Sequence, residues 1–182
     1  MGNGGGMRSA PLGAFFACDP DAVIVEQARL SAEVTHYHPD GQAGAIAIAL
    51  GAAFETRRRE AGVPITSDTG AELLAYVLRH TPEGPTNDGI RRAGEILRAG
   101  GSVIVAAEQL GSGDRVLSLD TVPFALFCAA SCLGRYEDAI WTTLEGLGDR
   151  DTTCAMVGGI VASGAGVDAI PHDWRRRREP LS

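Results

Sequence analysis

The sequence predicts an all-α fold, and three observations carry this prediction. Apolar residues recur at helical spacing through most of the 182 residues. No stretch of useful length alternates apolar and polar residues as a half-buried strand would, and no Asn-Gly hairpin signal occurs. No heptad pattern persists, which argues against a coiled coil. We therefore expect one compact globular multi-helix domain over residues 1–182, without a linker or internal repeat.

Candidate N-capping residues, together with the glycines and prolines that end helices, give the limits of the predicted helices. The predicted helices span residues 19–34, 40–60, 67–80, 86–98, 103–110, 122–132, 136–145 and 151–163. The segment 103–110 would also suit a strand because it opens Val-Ile-Val, and only its helical context favours a helix. The segment 122–132 is almost entirely apolar, so it should be central, with Pro123 in its first turn.

Composition limits the class of protein. A hydrophobic content of 45% with 21% charged residues is ordinary for a globular protein. The formal charge of −7 argues against a nucleic-acid-binding surface. The basic run at 175–178 is most simply a solvated tail. No segment resembles a signal peptide, and the apolar run 154–167 is too short and Gly-rich to span a membrane, so we expect a cytoplasmic protein.

The four cysteines do not suggest a metal site. None of Cys18, Cys128, Cys132 and Cys154 forms a Cys-x-x-Cys pair. Zinc is unexpected on this spacing, and buried free thiols in a reducing compartment are the favoured interpretation.

A short acidic motif, residues 148–153, is the first candidate site. It places Asp149, Asp151, Thr152 and Thr153 directly before an apolar run. Oxygen ligands this close together suit a hard cation such as Mg²⁺. The alternative is that one of the aspartates only caps the helix that follows.

A glycine-rich opening, residues 2–6, is the second candidate. Its backbone could approach a ligand closely and bind an anion through successive N–H groups. It lacks the Lys of a Walker loop and the preceding strand of a dinucleotide-binding fingerprint. The alternative is a flexible terminus.

Other polar residues leave alternatives open. His36 and His38 could form half a zinc site, although a loop histidine with a capping or hydrogen-bonding role is favoured. Asp120 could serve as a helix cap or in a site. His80 and His172 are predicted to lie on the surface, and Trp174 is predicted to anchor the C-terminal segment by packing.

Five segments in this order resemble one known family. They are Gly-Asn-Gly-Gly-Gly-Met-Arg at 2–8, Thr-His-Tyr-His-Pro at 35–39, Asp-Thr-Val-Pro at 120–123, Gly-Asp-Arg-Asp-Thr-Thr at 148–153 and Ile-Pro-His-Asp-Trp at 170–174. The set resembles the C-terminal part of the ADP-ribosylglycohydrolase family, which includes the dinitrogenase-reductase-activating glycohydrolases. One departure is Leu147, where the family commonly has Gly.

The resemblance implies an all-α fold and a metal-dependent hydrolase. Such an enzyme removes ADP-ribose from a modified protein side chain, across an N- or O-glycosidic bond, with two Mg²⁺ or Mn²⁺ ions. Metal ligands would be Asp149, Asp151 and Thr152. Substrate contacts would come from Asn3, Gly4, Gly5, Gly6 and His36. The partner would be ADP-ribose or an ADP-ribosylated protein, with no nucleic acid and no membrane.

One part of the family pattern has no match. Family members carry an N-terminal half with a Thr-Asp-Asp metal motif and the acidic residue thought to act in catalysis, so no catalytic residue is assigned here. We expect the chain to be incomplete as an enzyme and inactive alone, or else a non-catalytic ADP-ribose-binding or structural module. We also expect self-association, or a complementing N-terminal fragment, through an apolar face of 122–132 or of the helix after Thr153.

Overall fold

The computed structural model describes residues 1–179 and confirms the all-α class. Within those residues there are eleven α-helices, one 3₁₀ turn at Val167–Ala169 and no strand beyond an isolated bridge between Gly2 and Leu117. The helices are α1 Gly4–Met7, α2 Ala10–Phe15, α3 Asp21–Glu33, α4 Pro39–Glu60, α5 Thr69–His80, α6 Pro85–Arg98, α7 Val103–Leu110, α8 Ser118–Ser131, α9 Tyr136–Glu145, α10 Arg150–Ala165 and α11 His172–Arg177.

The predicted helices are all present, and α7 resolves the open alternative at 103–110 in favour of a helix. Ser102 caps α7 by accepting a hydrogen bond from the amide of Val105. The sequence analysis predicts no helix at α1, α2 or α11, which are short. α8 begins four residues before its predicted start, so Pro123 lies inside the helix and not in its first turn.

The centre of the fold is α4, which packs against α1, α2, α3, α5, α8 and α10. Small residues allow these close approaches. A Cβ on Gly13 of α2 would collide with the carbonyl of Ala49 in α4, and one on Gly70 of α5 would collide with the carbonyl of Ala130 in α8. The backbones therefore touch directly at these crossings.

α8 is the most buried helix of the core, which corrects one expectation. Val122, Phe124, Leu126 and Cys128 are each 0% exposed. The apolar residues of α8 are covered by other helices of the same chain, so the prediction that 122–132 offers an exposed apolar face is wrong. α10 too is largely covered, since Met156, Val157, Ile160 and Val161 are buried.

Within residues 1–179, no helix is both long and apolar enough to cross a lipid bilayer. The cysteines of the same region are all free. Cys128 and Cys132 are buried as predicted, whereas Cys18 is exposed and Cys154 only half-buried.

Candidate functional site

The glycine-rich opening is ordered by pairing with the loop between α7 and α8. The amide of Asn3 donates to the carbonyl of Val116 at 3.3 Å, and the amide of Ser118 donates to the carbonyl of Met1 at 2.9 Å. The Ser118 hydroxyl also donates to the carbonyl of Gly2 at 3.1 Å. The alternative of a flexible terminus is therefore wrong.

The side-chain amide of Asn3 joins three parts of the chain. Its Nδ2 donates to Thr121 Oγ1 at 3.0 Å and to Asp149 Oδ2 at 2.7 Å. Asn3 is only 4% exposed. Both amide hydrogens are used inside the protein, which leaves only Oδ1 free to accept a hydrogen bond. Asn3 therefore links the glycine-rich opening to the start of α8 and to the acidic motif.

Two loops meet at the acidic motif through their backbones. The amide of Asp149 donates to the carbonyl of Ser112 at 3.1 Å. A Cβ on Gly148 would lie 2.3 Å from that same carbonyl oxygen, and a Cβ on Gly113 would lie 2.7 Å from the Cβ of Asp149. Only glycine fits at both positions, and both have positive φ, 61° at Gly148 and 94° at Gly113.

Sequence reasoning missed Ser112, Gly113 and the bridging hydroxyl of Thr121. The run Gly111-Ser112-Gly113-Asp114 is a cluster of loop-forming residues that could have marked this segment. Nothing in the sequence could have shown that it packs on Asp149, because that contact depends on how α8 and α10 are arranged.

Asp149 occupies the N-cap position of α10, but its side chain makes no capping hydrogen bond. Its carboxylate faces Asn3 instead. Partial burial raises the pKa of Asp149, but the hydrogen bond from Asn3 and the neighbouring polar groups of Asp151 and Thr152 outweigh it, and the net pKa is lowered. The hydrogen bond from Asn3 therefore holds the Asp149 carboxylate toward the glycine-rich opening.

The three predicted metal ligands lie together at the start of α10. Asp151 is exposed, whereas Thr152 is 6% exposed and its hydroxyl faces the sulfur of Met7 at 3.7 Å. Across the described residues, no group of three or more His, Cys, Asp and Glu side chains is arranged to hold a metal. The site thus offers two carboxylates and one hydroxyl.

A chain of hydrogen bonds orients His36. Arg8 Nη2 donates to Thr35 Oγ1 at 2.9 Å, and that hydroxyl lies 2.8 Å from His36 Nδ1. Arg8 can only donate, so the single Thr35 proton is free to point at Nδ1. When Thr35 donates in this direction, the neutral ring carries its proton on Nε2, which lies 3.2 Å from the Cβ positions built on Gly2 and Gly4. Burial, Arg8 and the chain's amino terminus lower the pKa of His36, which favours this neutral form.

The backbone of the glycine-rich opening has free donors next to His36. The amide of Gly6 donates to the carbonyl of Asn3 at 3.0 Å. No hydrogen bond among the described residues uses the N–H of Gly4 or Gly5. The first N–H groups of a helix have no partner within it.

Two non-glycine residues with left-handed backbone flank the site. Val116 has φ 56° and Leu147 has φ 59°, and both side chains are exposed, at 55% and 57%. Such conformations are strained for residues with a Cβ, and most of all for a β-branched one. Leu147 therefore neither faces the core nor crowds the loop.

The remaining predicted residues fall outside this site. Asp120 is 1% exposed and accepts hydrogen bonds from the amides of Leu117 and Arg115, which assigns it to loop and cap structure. His38 caps α4 by accepting from the amide of Asp40.

The two other histidines and the tryptophan have separate positions. His172 is exposed as predicted. His80 was predicted on the surface, but it is half-buried, with Nε2 3.3 Å from a carboxylate oxygen of Asp21. Trp174 packs edge-on against Trp141 and Tyr136, as a packing anchor should.

Comparison with known proteins identifies the family of the chain. The sequence profile of ADP-ribosylglycohydrolases matches residues 1–180. The chain belongs to the ADP-ribosylglycohydrolase family.

Three relatives show how far this family likeness extends. The chain is 28% identical to the ADP-ribosylhydrolase ARH3 of Danio rerio over 96% of its own length and 52% of that protein. It is 26% identical to ARH3 of Homo sapiens over 98% of its length and 54% of that protein. An uncharacterized protein of Archaeoglobus fulgidus is 30% identical over 94% of the chain and 51% of that protein. This ADP-ribosylglycohydrolase chain thus spans about half the length of the relatives it matches.

Proposed function

We propose that this chain provides the ADP-ribose-binding wall, and part of the metal site, of a hydrolase that removes ADP-ribose from modified protein side chains. The observation that carries the proposal is the Asn3 amide, which bonds Thr121 and Asp149 at once. It makes the glycine-rich opening and the acidic motif parts of one site. Family membership and the name ADP-ribosylhydrolase printed for its relatives supply the reaction class.

The phosphates of ADP-ribose would lie over the glycine-rich opening. Gly4 is partly exposed and has no side chain, so a ligand can approach its unused N–H, whereas Gly5 is buried and would contribute through its lack of a side chain. The Nε2–H of neutral His36 would be a second donor beside Gly4. Gly6 would contribute by its lack of a side chain, because its own N–H is bonded to Asn3.

The donor set at the start of α10 fits Mg²⁺ or Mn²⁺. Such ions bind through one or two carboxylates and keep several waters or substrate oxygens. Asp149 and Asp151 supply the carboxylates, Thr152 a hydroxyl, and the lowered pKa of Asp149 keeps it anionic. When bound, the metal would polarise ribose hydroxyls or a water. The family's second ion would need ligands beyond those in residues 1–179.

The residues of this chain would orient the reactants. Asn3 fixes the Asp149 carboxylate by a 2.7 Å hydrogen bond. The backbone contact between Asp149 and Ser112 fixes the loop that carries it. No carboxylate of this site is assigned as the general base that activates water. Asp149 and Asp151 would hold the metal, and both carboxylate oxygens of the nearby Asp120 already accept backbone hydrogen bonds.

Turnover of a peptide ADP-ribosylated on arginine, in the presence of Mg²⁺ or Mn²⁺, tests the enzyme. Asp151→Asn should abolish the release of ADP-ribose. Asp138→Asn is the matched control, because Asp138 is exposed in α9 and pairs only with Arg135. Measurable turnover that is equal in the two variants would contradict the proposal.

The second candidate is a non-catalytic module that binds ADP-ribose. It is favoured by the side chains of residues 1–179, among which no group of three or more His, Cys, Asp and Glu is arranged to hold a metal. Calorimetric titration with ADP-ribose separates the two candidates. Saturable binding of ADP-ribose without turnover of the ADP-ribosylated peptide, under conditions where the chain binds metal, would favour the non-catalytic module.

A further inference from the structure

A cleft lined by residues near the C-terminal end of the described chain lies outside the site described above. It is bounded by three parts of the chain: the start of α9, the loop that follows α10, and helix α11. Its volume is about 670 Å³. The acidic motif begins α10, whereas the cleft follows its other end. Tyr136, one of the lining residues, lies against Gly158 in the middle of α10. Gly158 is seven residues after Asp151, about 10 Å along the helix, and the cleft and the acidic motif have no residue in common.

The cleft has an aromatic wall of fixed geometry. The Trp174 ring packs edge-on against Tyr136, with ring centroids 6.3 Å apart, and against Trp141 at 6.2 Å. Ile170 adds an apolar surface beside it. A flat ring held between such groups can stack on a planar ligand with little loss of side-chain freedom.

The cleft is also lined by a basic wall. Arg175, Arg176 and Arg178 line the cleft in a chain whose formal charge is −7. Among the described residues, only Arg175 of these three has an ion pair, at 3.4 Å from Asp168, whose side chain is 94% exposed. An exposed pair at that distance is weak.

One donor of this wall has no partner among the described residues. The Nε of Arg175 is buried without a hydrogen bond. A buried guanidinium N–H without a partner is costly and needs an explanation. A small rotation of Arg175 toward an anion in the cleft would satisfy it.

We propose that this cleft binds a nucleoside phosphate, with the base on the aromatic wall and the phosphates on the arginines. An acidic peptide would use the arginines but not the fixed ring. A hydrophobic ligand would use the ring but leave the guanidinium groups unpaired. The combination of both walls selects a ligand with a planar base and at least one phosphate.

The chain carries its own reporter for this cleft. It has two tryptophans, Trp141 and Trp174. Trp174 lines the cleft and Trp141 packs against it, so tryptophan emission excited at the red edge of its absorption reports on this cleft. ADP, adenosine and pyrophosphate are the probes, each titrated into the full chain.

ADP should change the emission saturably, and adenosine and pyrophosphate should each bind at least about tenfold more weakly, because each lacks one of the two contacts. Replacing both Arg176 and Arg178 by Ala should weaken ADP binding by about tenfold or more. The same replacement of Arg91 and Arg92, two exposed arginines of α6, removes equal charge and should have no effect. Asp151→Asn in the other site should also leave the signal unchanged.

Three results would overturn the proposal. The first is the absence of a saturable change in tryptophan emission when ADP is added. The second is equal binding of pyrophosphate and ADP, which would show an anion site without base recognition. The third is equal weakening by the α6 pair and the cleft pair, which would show a general charge effect.

Discussion

Asn3 Nδ2 lies 2.7 Å from Asp149 Oδ2, and the two residues are 146 positions apart in the sequence. This hydrogen bond connects the glycine-rich opening to the acidic motif. It also means that a residue predicted to contact substrate has both donors committed inside the protein. Its main effect on function should therefore be to position Asp149.

Replacing Asn3 by Leu should lower the free energy of unfolding by about 1–3 kcal/mol, because Thr121 and Asp149 lose a buried partner. It should also weaken the binding of Mn²⁺, measured by calorimetry. Asn87→Leu is a matched control. Asn87 is also 4% exposed and also donates two hydrogen bonds, to the carbonyls of Leu78 and Thr81, but in α6. If both variants lose the same metal affinity, Asn3 acts only through stability.

Leu147→Gly should stabilise the protein by about 1 kcal/mol, measured by urea unfolding. The left-handed backbone at φ 59° costs a residue with a Cβ about that much, and the exposed side chain makes little packing to lose. Leu30→Gly in α3 removes a comparably exposed leucine from a helical backbone and should destabilise by about 1 kcal/mol. A lower free energy of unfolding for Leu147→Gly would show that the Leu147 side chain makes a stabilising contact, and the prediction would be wrong.

His36→Ala should reduce the affinity for ADP-ribose by about tenfold, as expected for loss of one hydrogen bond to a charged group. Thr35→Val removes the hydroxyl that hydrogen-bonds both Arg8 and the His36 ring, so the two neutral tautomers of His36 should both be populated. Nitrogen chemical shifts of His36 would report that mixture directly. His38→Ala, which removes only a cap of α4, should leave the affinity unchanged, and an equal loss there would argue against a specific role for His36.

A polar cluster outside the site should govern stability in acid. Asp21 Oδ1 accepts from Arg57 and from the hydroxyl of Tyr76, each at 2.6 Å. Burial raises the pKa of Asp21, but the hydrogen bonds from Tyr76 and Arg57 outweigh it, so the net pKa is below the usual 3.8. A carboxyl with a lowered folded pKa contributes stability that is present above the unfolded pKa and lost as pH falls through the folded one.

Asp21→Asn should therefore cost about 1–2 kcal/mol at pH 7, after allowance for partial solvent screening. The difference from the unaltered protein should shrink as pH falls below 3.8, the unfolded value. Urea unfolding at pH 7, 5, 4 and 3 measures it. Asp88→Asn removes an exposed pair with Arg91 and should change stability little at any pH. A constant difference for Asp21→Asn across this range would contradict the assignment.

The sequence predicted the helices and the acidic and glycine-rich segments, because these depend on local spacing and composition. It did not predict that Asp149 would bond Asn3 in place of capping α10, since that depends on a tertiary contact. It placed the exposed apolar surface on 122–132, although α8 is enclosed by its neighbours. A uniformly apolar helix indicates burial, and sequence alone does not say whether the same chain supplies the cover.

Three of the exposed apolar side chains lie near the candidate site. Met7, Val116 and Leu147 are 42%, 55% and 57% exposed. Met7 contacts Thr152, the carbonyl of Val116 accepts from Asn3, and Leu147 lies two residues before Asp149. Apolar side chains around a binding site mark a surface that a partner covers.

We therefore expect the chain to self-associate, or to bind a complementing polypeptide segment, through this face. Sedimentation at low micromolar concentration should show species larger than the 19.0 kDa monomer. Replacing Met7, Val116 and Leu147 together by Ser should shift the distribution toward monomer. The same change at Val63, Ile65 and Ile104, which are 51%, 41% and 50% exposed elsewhere, should not. A monodisperse, cooperatively melting monomer before any substitution would show that the face needs no cover, and the prediction would be wrong.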